Sequence, residues 1–167
     1  MIYHCTKTLA SKLPDVSSVP LADANPLGSW HAHLHVIYRR QCVMFCHDAT
    51  RFILFQAGFK KEQFNVLGQI HKDLFKFVLI SMGVSENSIK RVQLAMGQAR
   101  FDTATDRSVL GTLNQSRSDF GYFITDYNNI LEADPIIAAR WLNNRPMTAR
   151  GTCLWPEKSM LELVGKL

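Results

Sequence analysis

LGSWHAHLHVIYRRQCVMFCHDATRFILF, residues 27–55, reads as three strands joined by two tight turns. From His31 to Tyr38 the chain alternates. Trp30, Ala32, Leu34, Val36 and Tyr38 fall on one face, and His31, His33, His35 and Ile37 on the other. Arg39-Arg40-Gln41 makes a turn into Cys42–Cys46, and His47-Asp48-Ala49-Thr50 a second turn into Arg51–Phe55. The second and third strands carry apolar side chains on both faces, so they are expected to be central and covered from both sides.

Working outward, Ile2–Thr6 has the character of a short first strand, and residues 14–28, with three prolines, of a long loop. Downstream the period changes. Phe64, Leu67, Ile70, Leu74, Phe77 and Val78 recur at helical spacing and stop at Met82-Gly83. Ser85 can cap a helix bearing Ile89, Val92 and Met96, closed by Gly97. Residues 99–103 suit another strand, and Asp106 can cap a helix using Val109, Leu110 and Leu113. Asp134-Pro135 is a cap followed by proline at the first helical position, and Asn143, Asn144 and Pro146 end that helix. Pro156 opens a last helix through Met160 and Val164. Strands first and helices afterwards predict the α+β class: an antiparallel sheet with three central strands within 30–56, extra strands near 2–6 and 99–103, and several helices packed on it. At 167 residues and 47% apolar, one domain over 1–167 is the expectation.

The formal charge of +5 is unevenly placed: residues 1–100 hold 12 Lys/Arg against 6 Asp/Glu, and the remainder 7 against 8. An anion-seeking surface therefore belongs to the first part of the chain. Cys5, Cys42, Cys46 and Cys153 form no CxxC or zinc-finger spacing, and Cys42 and Cys46 on one strand lie about 13 Å apart, too far for a disulfide. Reduced thiols follow. The first residues lack the apolar core of a signal peptide, and Phe77–Met82, the longest apolar run, is far short of a membrane span. The chain reads as soluble and cytoplasmic, with no membrane association.

LGSWHAH, RRQCVMFCHDATRF and DRSVLGTLNQ, in that order, resemble a family of bacterial proteins that carries the label of a domain of unknown function. The matching positions are Leu27, Gly28, Trp30, His31 and Ala32, then Arg39 or Arg40, Cys42, Phe45, Thr50 and Phe52, then Arg107 through Gly111 and Asn114. His33, His47 and Gln115 depart from the family pattern. The resemblance implies a one-domain architecture and a bacterial origin, and no reaction.

The histidines are then judged on their own chemistry. His31 and His33 lie about 7 Å apart along one strand face, a spacing from which two imidazoles can approach one metal, with His47, Asp48 or His71 as third ligand. The pair resembles the opening of the cupin motif, yet Ile37 stands where that motif needs glutamate. No metal or other cofactor is expected. A helix start at Asp106, Arg107 and Ser108 suits either capping or an anion, with Asn114 two turns along. Trp30, His31, Arg40, Arg107, Ser108 and Asn114 are the candidate ligand-binding residues, and His31 the candidate catalytic one.

The expected function is a binding or interaction module whose partner is a nucleic acid or another anionic ligand. Arg39, Arg40, Arg51, Lys60 and Lys61 would gather at one rim of the sheet, with Tyr38 or Trp30 stacking on a base. The alternative is a small metal-independent hydrolase or nuclease using His31 with arginine support. The aromatics Phe120, Tyr122, Phe123, Trp141 and Trp155 leave oligomerisation open. No GxSxG, P-loop or HExxH is present to anchor a catalytic reading.

Overall fold

The computed structural model describes every residue except Asp23 and Arg150. In chain order it contains β1 (Ile2–Cys5), α1 (Lys7–Ala10), β2 (Trp30–Ile37), β3 (Arg40–His47), β4 (Ile53–Ala57), α2 (Lys61–Asn65), α3 (Leu67–Ser81), α4 (Glu86–Met96), β5 (Arg100–Asp102), α5 (Arg107–Phe123), a 3-10 turn at Ile130–Glu132, α6 (Pro135–Asn143), β6 (Met147–Ala149), β7 (Thr152–Leu154) and α7 (Pro156–Gly165). The class is α+β. Five strands form one sheet in the order β4-β3-β2-β1-β5, and β6 and β7 form a separate hairpin.

The sheet is mixed, which corrects the expectation of an antiparallel one. β2, β3 and β4 make an antiparallel meander, but β1 runs parallel to both β2 and β5. Side-chain alternation marks a buried strand and not the direction of its neighbour. The long segment 6–29 returns the chain to the starting end of the sheet, as a parallel pairing requires. A second correction concerns β4, which is an edge strand although Ile53, Leu54 and Phe55 are all buried. It is apolar because helices cover both faces there. The turn between β2 and β3 centres on Tyr38 and Arg39, one residue earlier than its residue types suggest.

Two cores result. Tyr3, Trp30, Val43, Phe45 and Leu54 face α1, α3, α4 and α7, whereas Cys42, Met44, Cys46, Ile53 and Phe55 face α5 and α6. α6 lies at the β4 edge and serves both: Ala139 joins the first cluster, Ala138 and Leu142 the second. At its last residue, buried Asn143 accepts a hydrogen bond from the Ile53 N–H at 2.7 Å and donates to the Ile53 carbonyl at 2.7 Å, so one amide side chain takes the place of a neighbouring strand. The other edge is met by residues 17–21. The Ser17 N–H donates to the Phe101 carbonyl at 2.8 Å, and the Leu21 N–H to the Asp102 carboxylate at 2.7 Å. Both edges are thereby closed to strand pairing with other molecules.

Gly68 marks the tightest approach between layers, since a Cβ there would sit 2.3 Å from the Ala99 Cβ. No helix among the described residues is long and apolar enough to cross a membrane.

Candidate functional site

His31 and His4 are register partners on β2 and β1, with ring centroids 5.0 Å apart. Around them the sheet end, the turn after β3 and the start of α5 assemble a polar cluster. His31 Nδ1 donates to the Asp48 carboxylate at 2.6 Å, and its Nε2 accepts from the Asp106 backbone N–H at 2.6 Å. A single neutral tautomer satisfies both bonds, and the ring is 1% exposed. His31 thus has no nitrogen left for a substrate proton; it ties the β3–β4 turn to the first turn of α5. Burial pushes the Asp48 carboxyl up, but the hydrogen bonds from His31 and from the Ser29 hydroxyl outweigh that and hold it below the ordinary 3.8. Its contribution to stability is present above pH 3.8 and lost as pH falls below it. His31→Ala removes both arms of this buried bridge and is expected to cost about 2–4 kcal/mol, read as a lower urea midpoint at constant slope.

His4 forms a second pair, donating from Nδ1 to Asp102 at 2.7 Å, while its Nε2 stands 3.9 Å from Asp48. Asp102 is 1% exposed and also accepts the Leu21 and Ala104 amides, so it anchors the long loop as well as the ring.

Leu27, Gly28, Trp30 and Thr50, which carry the family resemblance, gather at this end around His47, which departs from it. Buried His47 donates from Nε2 to the Leu27 carbonyl at 2.5 Å and bonds Thr50 through Nδ1 at 2.9 Å. Gly28 holds φ +81°, and a Cβ on it would press within 3.1 Å of the His47 ring. Trp30 is fully buried on the opposite face, edge-on to His47, His71 and Phe75. It is unavailable for stacking on a base. Pairing of His31 with His33 at a metal is not what the strand sets up either: His33 packs on His35, ring centroids 4.1 Å apart, and His47 and His71 lie on the other face. Among the described residues no group of three or more His, Cys, Asp or Glu is placed to hold a metal ion.

The remaining candidates separate. Ser108 is half-buried beside the cluster, whereas Arg107 and Asn114 are exposed, Asn114 on a different stripe of α5 from the one lining the neighbouring groove. Arg40 lies at the far end of the β2–β3 hairpin, six residues from His31 along the ladder, about 20 Å. There it shares a recess of about 430 Å³ with Arg39, Lys60 and Lys61; Gln41, Phe59 and Leu131 complete its wall. Four of the five cations expected at one rim meet there. The fifth, Arg51, is at the opposite end and 3% exposed.

The turn that supplies Arg39 to the recess has an unusual backbone. Tyr38 (φ 48°) and Arg39 (φ 62°) both adopt the left-handed conformation of a two-residue hairpin turn, a place that asparagine and glycine fill without strain. Two non-glycine residues there cost about 1–2 kcal/mol each, and Tyr38, the neighbour of Arg39 in the turn, is 51% exposed with its hydroxyl donating to the Ile124 carbonyl at 3.5 Å. The cysteines offer no nucleophile in the core: burial pushes the Cys42 thiol up to about 11 and the Cys5 thiol up to about 12.

Sequence reasoning overlooked His4 and the full burial of Arg51. The last had a signal: a lone arginine between a turn and the wholly apolar FILF must either be paired inside the core or be held there for use.

A family model described as a domain of unknown function, DUF6933, matches residues 2–159, in keeping with the resemblance of the three motifs. No curated protein matches the chain.

Proposed function

Because the chain belongs to the DUF6933 family, a domain of unknown function, we propose its role from the site alone: a binding module that engages single-stranded nucleic acid through the basic recess at the β2–β3 turn. The observation that carries this reading is the convergence of Arg39, Arg40, Lys60 and Lys61 on one recess with no carboxylate in its lining and no ion pair among the described residues to neutralise them. Four unspent cations form an electrostatic footprint for a phosphate backbone. Tyr38 supplies the stacking surface, and the strained turn that presents it supports a selected rather than incidental geometry. Four unpaired cysteines, three of them buried, fit a reducing, cytoplasmic setting.

The alternative of a metal-independent hydrolase on His31 has less support, since both ring nitrogens are engaged and Arg40 is remote.

Fluorescence anisotropy with a mixed-sequence single-stranded oligonucleotide tests the proposal. Engagement of four phosphates gives log K falling with log salt at a slope near −3, and the Arg39→Ala/Arg40→Ala double variant reduces that slope by about 1.4. Tyr38→Ala weakens binding roughly tenfold and leaves the slope unchanged. No binding at low salt, or an unaltered slope in the double variant, would sink the idea.

A further inference from the structure

We propose a second, separate site: the groove between α5 and the start of β6 binds a small uncharged polyol of monosaccharide size, held by hydroxyl and amide side chains rather than by charge. The groove holds about 550 Å³, within the range of small-molecule sites. Ser108, Gly111, Thr112, Gln115, Ser116 and Asp119 line it from α5, and the run from Arg145 to Thr148 lines it from the other side.

Two observations on α5 point to an occupant. Serine and threonine inside a helix readily bond the carbonyl one turn back. Thr112 donates in this way to Ser108, and Ser118 to Asn114, each at 3.2 Å. Ser116 does not: it is fully buried against the groove, and its hydroxyl has no hydrogen-bond partner. A buried hydroxyl left so is destabilising until something meets it. Gly111 is the second observation. It stands in the interior of the helix, where glycine is less stable than alanine, yet a Cβ there would meet nothing within 4 Å. Packing does not call for glycine at this position. Its missing side chain leaves the helix backbone bare on the groove wall, where a ligand can lie against it.

The walls select the class of ligand. The two charges that line the groove, Asp119 and Arg145, neutralise each other at 2.9 Å, so neither an anion nor a cation finds surplus charge to receive it. An apolar molecule would leave the polar wall unpaired. No aromatic side chain lines the groove to stack on a nucleobase. The capacity that remains is mixed and neutral. Ser116 can donate and accept, and Thr112, its proton taken by Ser108, accepts. Ser108 accepts from Arg51 at 3.1 Å and keeps its own proton to donate. The Gln115 amide donates to Asp119 at 2.8 Å and leaves its carbonyl oxygen free. Donors interleaved with acceptors match hydroxyl groups, each of which is both at once. Pro146 and Met147 add apolar surface for the C–H faces of such a molecule.

Calorimetric titration with D-ribose, D-glucose and myo-inositol tests the assignment. At least one of the three is expected to saturate, with an affinity that does not change between low and physiological salt, because no ion pair forms. The Arg39→Ala/Arg40→Ala variant keeps that affinity, which separates the groove from the basic recess. Gly111→Leu fills the wall and abolishes binding. It melts no lower than the parent, since the helix loses a glycine and no neighbour is displaced. Ser116→Ala lowers the affinity about fivefold without lowering the melting temperature, the group removed being an unpaired one. Ser118→Ala, outside the groove, binds as the parent does. Failure of all three polyols to saturate, an affinity that falls with salt, lost binding in Arg39→Ala/Arg40→Ala, or undiminished binding in either groove variant overturns the proposal.

Discussion

Lowering the pH from 7 to 5 is expected to reduce folding stability, by roughly 1–2 kcal/mol for each buried histidine that stays neutral in the fold. Burial, with His33 and Arg117 adding in the same direction, brings the His35 pKa down to about 3, and burial with the His47 and Lys72 charges holds His71 well below 6.5. Each ring is neutral in the folded protein and takes up a proton in the unfolded chain as pH drops through 6.5. The unfolded state then binds more protons, so stability rises with pH: the contribution is whole above 6.5 and drains away from 6.5 down toward the folded pKa, about 3 for His35. His33 and His47 are shifted the same way by burial and steepen the loss. For a fold of ordinary stability this is a large fraction of the total. Urea unfolding at pH 7, 6 and 5 reads it directly, and His71→Phe should flatten the dependence by close to one proton. Equal midpoints at pH 7 and pH 5 would contradict the buried, neutral assignment.

Asn143→Asp is the single substitution with the greatest expected cost, about 3–5 kcal/mol. The Asn143 amide donates to the Ile53 and Ala139 carbonyls, both at 2.7 Å, while accepting from the Ile53 N–H. A carboxylate is acceptor only, so it would face two carbonyl oxygens in a site 1% exposed. Asn143→Ala leaves the same β4 groups unpaired without burying a charge, at about 2–4 kcal/mol. It also uncovers the β4 edge, so its soluble protein should show concentration-dependent association by gel filtration that the parent lacks. A urea midpoint within experimental scatter of the parent for both variants would mean that the edge is satisfied in some other way.

The meander and the helices were legible because their signals are local. Period-two alternation over His31–Tyr38, the unbroken apolar FILF, Ser85, Asp106 and the Asp134-Pro135 cap each act within a few residues, and β2, β4, α4, α5 and α6 appear where those signals lie. The direction of β1 and β5 was not legible, because strands of four and three residues carry no mark of which neighbour they meet. The β6–β7 hairpin, two strands of three residues of which Ala149 alone is buried, is too short for an alternation that would announce it. At the site, residue type misled where partners decide. His31 looked like a free base and is consumed by Asp48 and Asp106, whereas Arg51 looked like one more surface cation and is buried with two unpaired nitrogens. Nothing in the residue string states which carboxylate a buried cation will miss.

β1 sits between β2 and β5, and its His4 meets Asp102 across 98 residues of chain. The β2–β3–β4 meander can close from neighbouring segments as soon as it exists, but the slot for β1 has only one wall until residue 102 has arrived. During synthesis β1 therefore waits for its second wall until residue 102 is made, while the meander beside it can already close. Assembly of this protein should be governed by that late insertion, and its moment of greatest exposure to proteases and to misassociation falls before β5 docks rather than before the meander forms.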